Sequence, residues 1–412
     1  MARPRILFAF HTRDAAHREH CREFVEMSFI GPLGESGLAD YDVFWYGPWM
    51  GDWKAMNLEL LRRCAAMRPD ALMLINGWEP EHDKPEAWYL RLLTLYLVRW
   101  ILGVKVTALW TDQTREHFEV SDEVTRFCDV AFTHEDERAF RGYTRYPERH
   151  VVTNATFSPR LLHGDPAAAR DIDLCFIGQV TGYEEVRARG LQGLREAGLA
   201  VHAPGGQGRD QVKLTNQAYG ELLKRSKIAL NWSRHISGQW FQAKARIFEA
   251  TLAGALLLCE ECDEVNRYFQ PGVEYVPFTT QDQLIERARR YLGDTGERLR
   301  IAASGHACAL AHYSAPVVWR QMLDEIGARN AFDPAEALAG LRRNASANEL
   351  ALAVYLRERL PTVLPGFEHS ALEAAVEALG AGRAAFDRRA RWRKLRDAIR
   401  PRQLARRLLR PT

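Results

Sequence analysis

Residues 246–258 read RIFEATLAGALLL. Ten of the thirteen are apolar or glycine, and the run closes on a stretch suited to a buried strand. Gly254 falls where a helix C-terminus favours glycine, so the run reads as a helix, a turn and a strand. One residue is out of place. Glu249 sits within the apolar set, with Arg246 three residues earlier on the same helix face. A carboxylate near a core is costly unless it is paired or hydrogen-bonded. It therefore belongs either to an i,i+3 ion pair or to a ligand.

The same alternation extends on both sides. Upstream, RILFAF (5–10), YDVFWYG (41–47), DALMLING (70–77), VKVTALW (104–110), DVAFTH (129–134) and HVVTNAT (150–156) are expected strands. Helical segments are expected at about 14–27, 53–67 and 85–102. The pattern restarts with DIDLCFIG (171–178), LAVHAPG (199–205), KIALNWS (227–233), ALLLC (255–259) and EYVPF (274–278). Helices are expected there at 183–197, 216–226, 243–253, 281–293 and about 296–327. Short apolar strands alternating with helices indicate βαβ units and parallel sheets. The expectation is an α/β protein of two Rossmann-like domains, about 1–160 and 170–330, facing each other across a cleft. Residues 331–412 carry no strand signal and are expected to be a helical, basic appendage.

Composition narrows the class. The 412 residues are 47% apolar with 11 Trp, ample for large cores, and 26% charged. Arg3 and Arg5 lead straight into ILFAF without a cleavage-site pattern, so no secretory leader is expected. The long apolar region 88–110 is broken by Arg91, Arg99, Gly103 and Lys105, which suits a buried helix and strand rather than a membrane span. Seven scattered cysteines argue against a disulfide framework and for a cytoplasmic setting. The net charge of +3 is unevenly spread: residues 381–412 carry +10 and the other 380 carry −7.

In open parallel sheets, ligands bind beyond the carboxyl ends of the strands, near helix N-termini. The loop GQVTGYEEVR after 171–178 offers Gly178, Gln179 and Gly182 for close backbone approach, with Arg187 following. The Gly-rich turn APGGQG (203–208) is a second such place. Arg234, Lys244, Arg246 and Glu249 occupy the segment from the 227–233 strand into the next helix. In WTDQT (110–114), Asp112 follows a strand and reads either as a cleft-facing general base or as an N-cap. His11, just past the first strand, reads as a cleft residue or a loop cap.

The run R-x-F-E-A-x-x-A-G-A-L-L-L resembles the C-terminal domain of group 1 glycosyltransferases, particularly the CgeB-like (spore-maturation glycosyltransferase-like) branch. The resemblance spans about 171–325 and includes FIGQVTGYEEVR, KIALNWSRH and FQPGVEYVPFTTQDQLIERARRYLGDTGERLRIAASGHACAL. The first half matches in layout only. The resemblance implies a GT-B fold, a nucleotide-sugar donor as substrate and no cofactor. Glu249 aligns with the family Glu that binds the donor ribose, and Arg187 with the Arg after its glycine loop. The first Glu of the family pair would fall near Phe241 and is absent. Retention of configuration is only slightly favoured. Donor binding is thus assigned to Glu249, Arg246, Gly178, Gln179, Gly182, Arg187, Arg234 and Lys244, and catalysis to Asp112 and His11. The expected reaction is transfer to a cell-envelope glycan, glycolipid or protein, as in polysaccharide biosynthesis. A nucleotide-sugar epimerase or hydrolase and a degenerate sugar-nucleotide-binding protein are the alternatives.

Several motifs carry no such weight. His11, His17 and His20 lack further ligand-type residues at metal spacing, and Cys259 with Cys262 lacks a second pair. Asp171-Ile172-Asp173 matches a metal-binding D-x-D but precedes its strand, the wrong edge for a ligand, so no metal is expected. In 383–410, basic residues interleaved with Trp392 and several Leu suit either an anionic membrane surface or a helix packed on the body. No recognition fold for nucleic acid accompanies them. The expected location is cytoplasmic, with the tail as a peripheral attachment to the inner face of the membrane.

Overall fold

The computed structural model describes residues 3–75, 90–110, 121–135, 137–178, 185–204, 214–234, 241–366 and 370–384. All eleven expected strands are present. The first six are β1 Arg5–His11, β2 Asp40–Tyr46, β3 Ala71–Ile75, β4 Lys105–Trp110, β5 Val130–Thr133 and β6 His150–Val152. They form one parallel sheet in the order β2-β1-β3-β4-β5-β6. The other five are β7 Ile172–Cys175, β8 Val201–His202, β9 Ser226–Asn231, β10 Leu256–Glu260 and β11 Val276–Phe278. They form a second parallel sheet, ordered β11-β10-β9-β7-β8. Strands covered on both faces read as continuous apolar runs, and β3 and β5 are buried along their whole length.

Helices cover both faces of each sheet. The expected stretch at 296–327 is two helices, Thr295–His312 and Ala315–Ala328, parted at Tyr313 and Ser314. Pro316 in the first turn of the second explains the break, since proline starts a helix but cannot continue one. That second helix returns from the second domain to the first. Its Trp319 is fully buried, meets Phe8 edge-on at 6.0 Å, and donates from Nε1 to the carbonyl of Phe29 at 2.8 Å. One core runs through both domains here, joining Phe8 and Phe132 to Ile247, Phe248 and Trp319.

The helices Pro334–Arg343 and Ala347–Val363, with helical residues 370–384, lie on the opposite face of the first sheet. Leu341, Leu352 and Leu356 share a core with Leu7, Leu72 and Val106. Buried Glu349 accepts hydrogen bonds from the backbone N–H groups of Leu92 (3.2 Å) and Leu93 (3.4 Å). These are orphan donors at the start of helix Leu92–Trp100, whose own N-cap residue, Arg91, supplies no side-chain cap.

The two sheets share a strand order. Each reverses direction once, between β1 and β3 in the first sheet and between β7 and β9 in the second. Such switch points open a crevice beyond the strand ends. The amino edge of the second sheet is closed by ion pairs of Asp171 with Arg225 and of Asp173 with Lys227, so the D-x-D serves structure. All seven cysteines are free thiols. Among the described residues no helix is long and apolar enough to cross a membrane.

Candidate functional site

The second switch point gathers its groups from three elements. Helix Ala245–Leu252 fills the crossover between β9 and β10, and Gly254, at φ 72°, turns the chain out of it. Ile247, Phe248 and Leu252 are buried, and Arg246 and Glu249 occupy its first two turns. Arg246 donates from Nη1 to Asn231 Oδ1 at 3.0 Å, at the end of β9. Its guanidinium lies 4.7 Å from the ring centre of Phe176, just past β7. Arg187, on helix Glu185–Glu196, approaches the same ring at 5.9 Å. Gly178 completes the group: a Cβ there would stand 2.4 Å from Arg246 Nη2. A side chain at position 178 would push the Arg246 guanidinium from this position.

Glu249 is buried at 6% exposure. Its partner is Tyr219, whose hydroxyl donates to Oε2 from helix Asn216–Arg225. The i,i+3 ion pair with Arg246 is therefore not the contact made; Arg246 bonds Asn231 instead. Burial raises the Glu249 carboxyl above its ordinary range, while the Tyr219 hydrogen bond and the Arg246 charge pull it down. The Tyr219 phenol is pushed well up by burial and by the carboxylate beside it.

Glu249 also faces a cavity between the domains. It shares the second-domain wall with Gln242 and Lys244, opposite Phe10, Phe29, Ile75 and His134 of the first. Gln242 crosses the gap and donates to Glu135 Oε1 at 2.6 Å, and Lys244 donates to Gln242.

The expected residues thus separate. Arg246, Arg187 and Gly178 converge on Phe176, with Glu249 and Lys244 along the same helix start. Arg234 stands apart: it stacks on Phe241 at 4.9 Å and lies 3.9 Å from Glu260. Glu260 lines a different cavity, of about 470 Å³, with Trp232, Phe278 and Gln281. His11 packs its ring on Tyr46 at 5.4 Å and is absent from the described wall of the interdomain cavity. Asp112, Gln179 and Gly182 lie outside the described residues, as do 385–412. Tyr219, Asn231 and Phe176 were not legible as site residues, because each acts through a partner distant in sequence.

Chemically, two guanidinium groups beside a glycine backbone suit a diphosphate, and a buried carboxylate suits a pair of hydroxyls. Residues 181–324 match the family model described as glycosyl transferase-like. Anabaena Alr3699/HepE in complex with UDP-glucose is similar in structure at 14% identity, over 78% of this chain and 99% of its own, with a TM-score of 0.54. An alpha-glucosyltransferase in complex with UDP and a 13-mer DNA containing an HMU base is similar at 13% identity, over 79% and 100%, also with a TM-score of 0.54. No curated protein matches the chain in sequence. The fold is GT-B. In GT-B terms, β7–β11 form the second Rossmann-like sheet, and the family match runs from residue 181 past β11 into helix Ala315–Ala328.

Proposed function

We propose that this chain is a glycosyltransferase of the CgeB-like branch that uses a nucleotide-sugar donor. The observation that carries the reading is the Gly178–Arg246 contact at the β7/β9 switch point, with Glu249 one turn further along the helix. Arg246 and Arg187 would meet the diphosphate, whose negative charge grows as the sugar–oxygen bond breaks. Glu249 would accept from the ribose hydroxyls. UDP-sugars come first among donors, because the similar structures described above hold UDP or UDP-glucose. The acceptor, a glycan, lipid or protein, would be held by the first domain, where Asp112 and His11 stay candidates for contact with its hydroxyl. No step of the reading uses a metal. Retention of configuration and attachment of 381–412 to an anionic membrane remain part of the proposal.

A thermal-shift series with UDP-, GDP-, CMP- and dTDP-sugars tests it. A ligand at 100 times its Kd adds about 2.7 kcal/mol of apparent stability, which shifts the melting temperature measurably. We expect stabilisation by a UDP-sugar that Glu249→Ala abolishes. If Glu249→Ala keeps the full shift, Glu249 does not hold the donor.

A further inference from the structure

Arg246 is a part-buried cation without a counter-ion. Among the described residues no carboxylate lies within ion-pairing distance of it, and the Glu249 carboxylate one turn on accepts from Tyr219 instead. Its Nε is buried without a hydrogen-bond partner, and its Nη2 stands beside Gly178. The hydrogen bond it does make runs from Nη1 to Asn231 Oδ1 at 3.0 Å, an uncharged acceptor. A cation withdrawn from water without an opposite charge is costly, and an arriving anion relieves that cost.

Asn231 is locked for that bond. It is fully buried at the end of β9. Its Nδ2 donates to Ser233 Oγ at 3.1 Å and to Cys259 Sγ at 3.2 Å. Those contacts turn the amide oxygen to the guanidinium; reversed, the amide would set donor against donor. The support is itself uncharged. Ser233 Oγ and Cys259 Sγ lie 3.4 Å apart, and burial pushes the Cys259 thiol up to about 12, so no thiolate forms at neutral pH. The Glu260 carboxylate is one step removed: it accepts from the Ser233 N–H at 3.1 Å and faces Arg234 at 3.9 Å.

We propose that Asn231 is a positioning residue of the donor site and acts through its neutrality: it fixes the Arg246 guanidinium and leaves the whole positive charge to the donor diphosphate. This rests on the glycosyltransferase reading and names the residue that sets the charge of its donor site. An aspartate of the same shape would pair with Arg246 and place a negative charge beside the diphosphate. Fixed geometry and an uncompensated charge are both available with an amide, and the second is lost with a carboxylate.

The test compares the full chain with its Asn231→Asp, Asn231→Ser and Arg246→Ala variants. UDP affinity is titrated by calorimetry, and the stability of each free protein is read by urea unfolding. The Ser233 hydroxyl and the Cys259 thiol can both turn to donate, so the aspartate fits the network. We expect Asn231→Asp to keep the wild-type urea midpoint, or raise it through the new ion pair, and to weaken UDP by at least about thirtyfold. Asn231→Ser, which loosens the guanidinium but keeps its charge, should weaken UDP roughly fivefold. Wild-type UDP affinity in Asn231→Asp overturns the proposal, as does a serine variant that binds UDP as weakly as the aspartate variant. So does an aspartate variant whose stability falls along with its affinity, the pattern of a merely structural asparagine. If the aspartate variant does not fold, the serine variant decides: a loss smaller than that of Arg246→Ala supports the proposal, and no loss or an equal one overturns it. A wild-type protein that does not bind UDP, or an Arg246→Ala variant that binds it fully, overturns the donor reading and this proposal with it. Loss in Arg246→Ala without loss in Asn231→Asp overturns this proposal alone.

Discussion

The mouths of the two sheets share a topology and differ in chemistry. At the β1/β3 switch point the chain presents Phe10 and Ile75 to the interdomain cavity. At the β7/β9 switch point it presents Phe176, Gly178 and Asn231, with Arg246 bonded across them. Strand order decides where a crevice opens, and the residues just past the strands decide what it attracts. One mouth is built of contact area and the other of charge.

The largest effect should come from the residue that ties the mouths together. Trp319 is fully buried, packs on Phe8 of β1 and holds the Phe29 carbonyl, yet its helix descends from the second domain. Trp319→Ala removes a buried indole and leaves a cavity, which costs about 3–5 kcal/mol. Urea unfolding should show that loss, with the apolar mouth disturbed more than the charged one. Unchanged stability would mean that the domains do not depend on this helix.

Next comes the charged mouth itself. On the proposed donor reading, Arg246→Ala removes a charge-assisted contact to the diphosphate worth about 2–3 kcal/mol, or roughly a thirty- to 160-fold loss of UDP affinity. The stability of the free protein should fall far less than in Trp319→Ala, since Arg246 takes no part in the interdomain cavity wall. Calorimetry with UDP and urea unfolding check this, and a loss of stability as large as that of Trp319→Ala would dissolve the contrast between the mouths.

Much of this architecture was legible in the sequence because parallel strands buried on both faces leave continuous apolar runs. Glycine, proline and capping residues then mark the ends, as Gly254 and Pro316 do. The pairing of Arg246 with Gly178 was half legible: both residues stood out, but their contact depends on how β7 and β9 align. The partner of Glu249 was not legible. Spacing within a helix pointed to Arg246, whereas the bond comes from Tyr219, 30 residues away on the preceding helix. The positive φ of Phe29, 54°, leaves no trace in composition, because φ is fixed there by tertiary contacts rather than by residue type. Nor did the amphipathic helices after residue 331 reveal which surface they cover, since an apolar stripe names no partner.

The smallest and most diagnostic effect concerns the Tyr219–Glu249 bond. Burial raises the Glu249 carboxyl, and the phenol hydrogen bond is the foremost influence holding it down. A carboxyl whose folded pKa is raised binds its proton more tightly folded than unfolded. The free protein therefore loses stability as pH rises through that window. On the proposed donor reading, donor binding runs the other way, because an ionised Glu249 would accept both ribose hydroxyls and a protonated one fewer. UDP affinity should thus fall on acidification at a higher pH than an ordinary carboxylate would dictate. Tyr219→Phe removes the donor hydrogen bond, so the midpoint of that fall should move higher still. At neutral pH the loss should be about 1 kcal/mol, roughly fivefold in affinity. A merely structural tyrosine would lower affinity equally at every pH. The slope against pH, measured by calorimetry on both proteins, therefore decides whether the phenol sets the charge of the carboxylate or only fills space beside it.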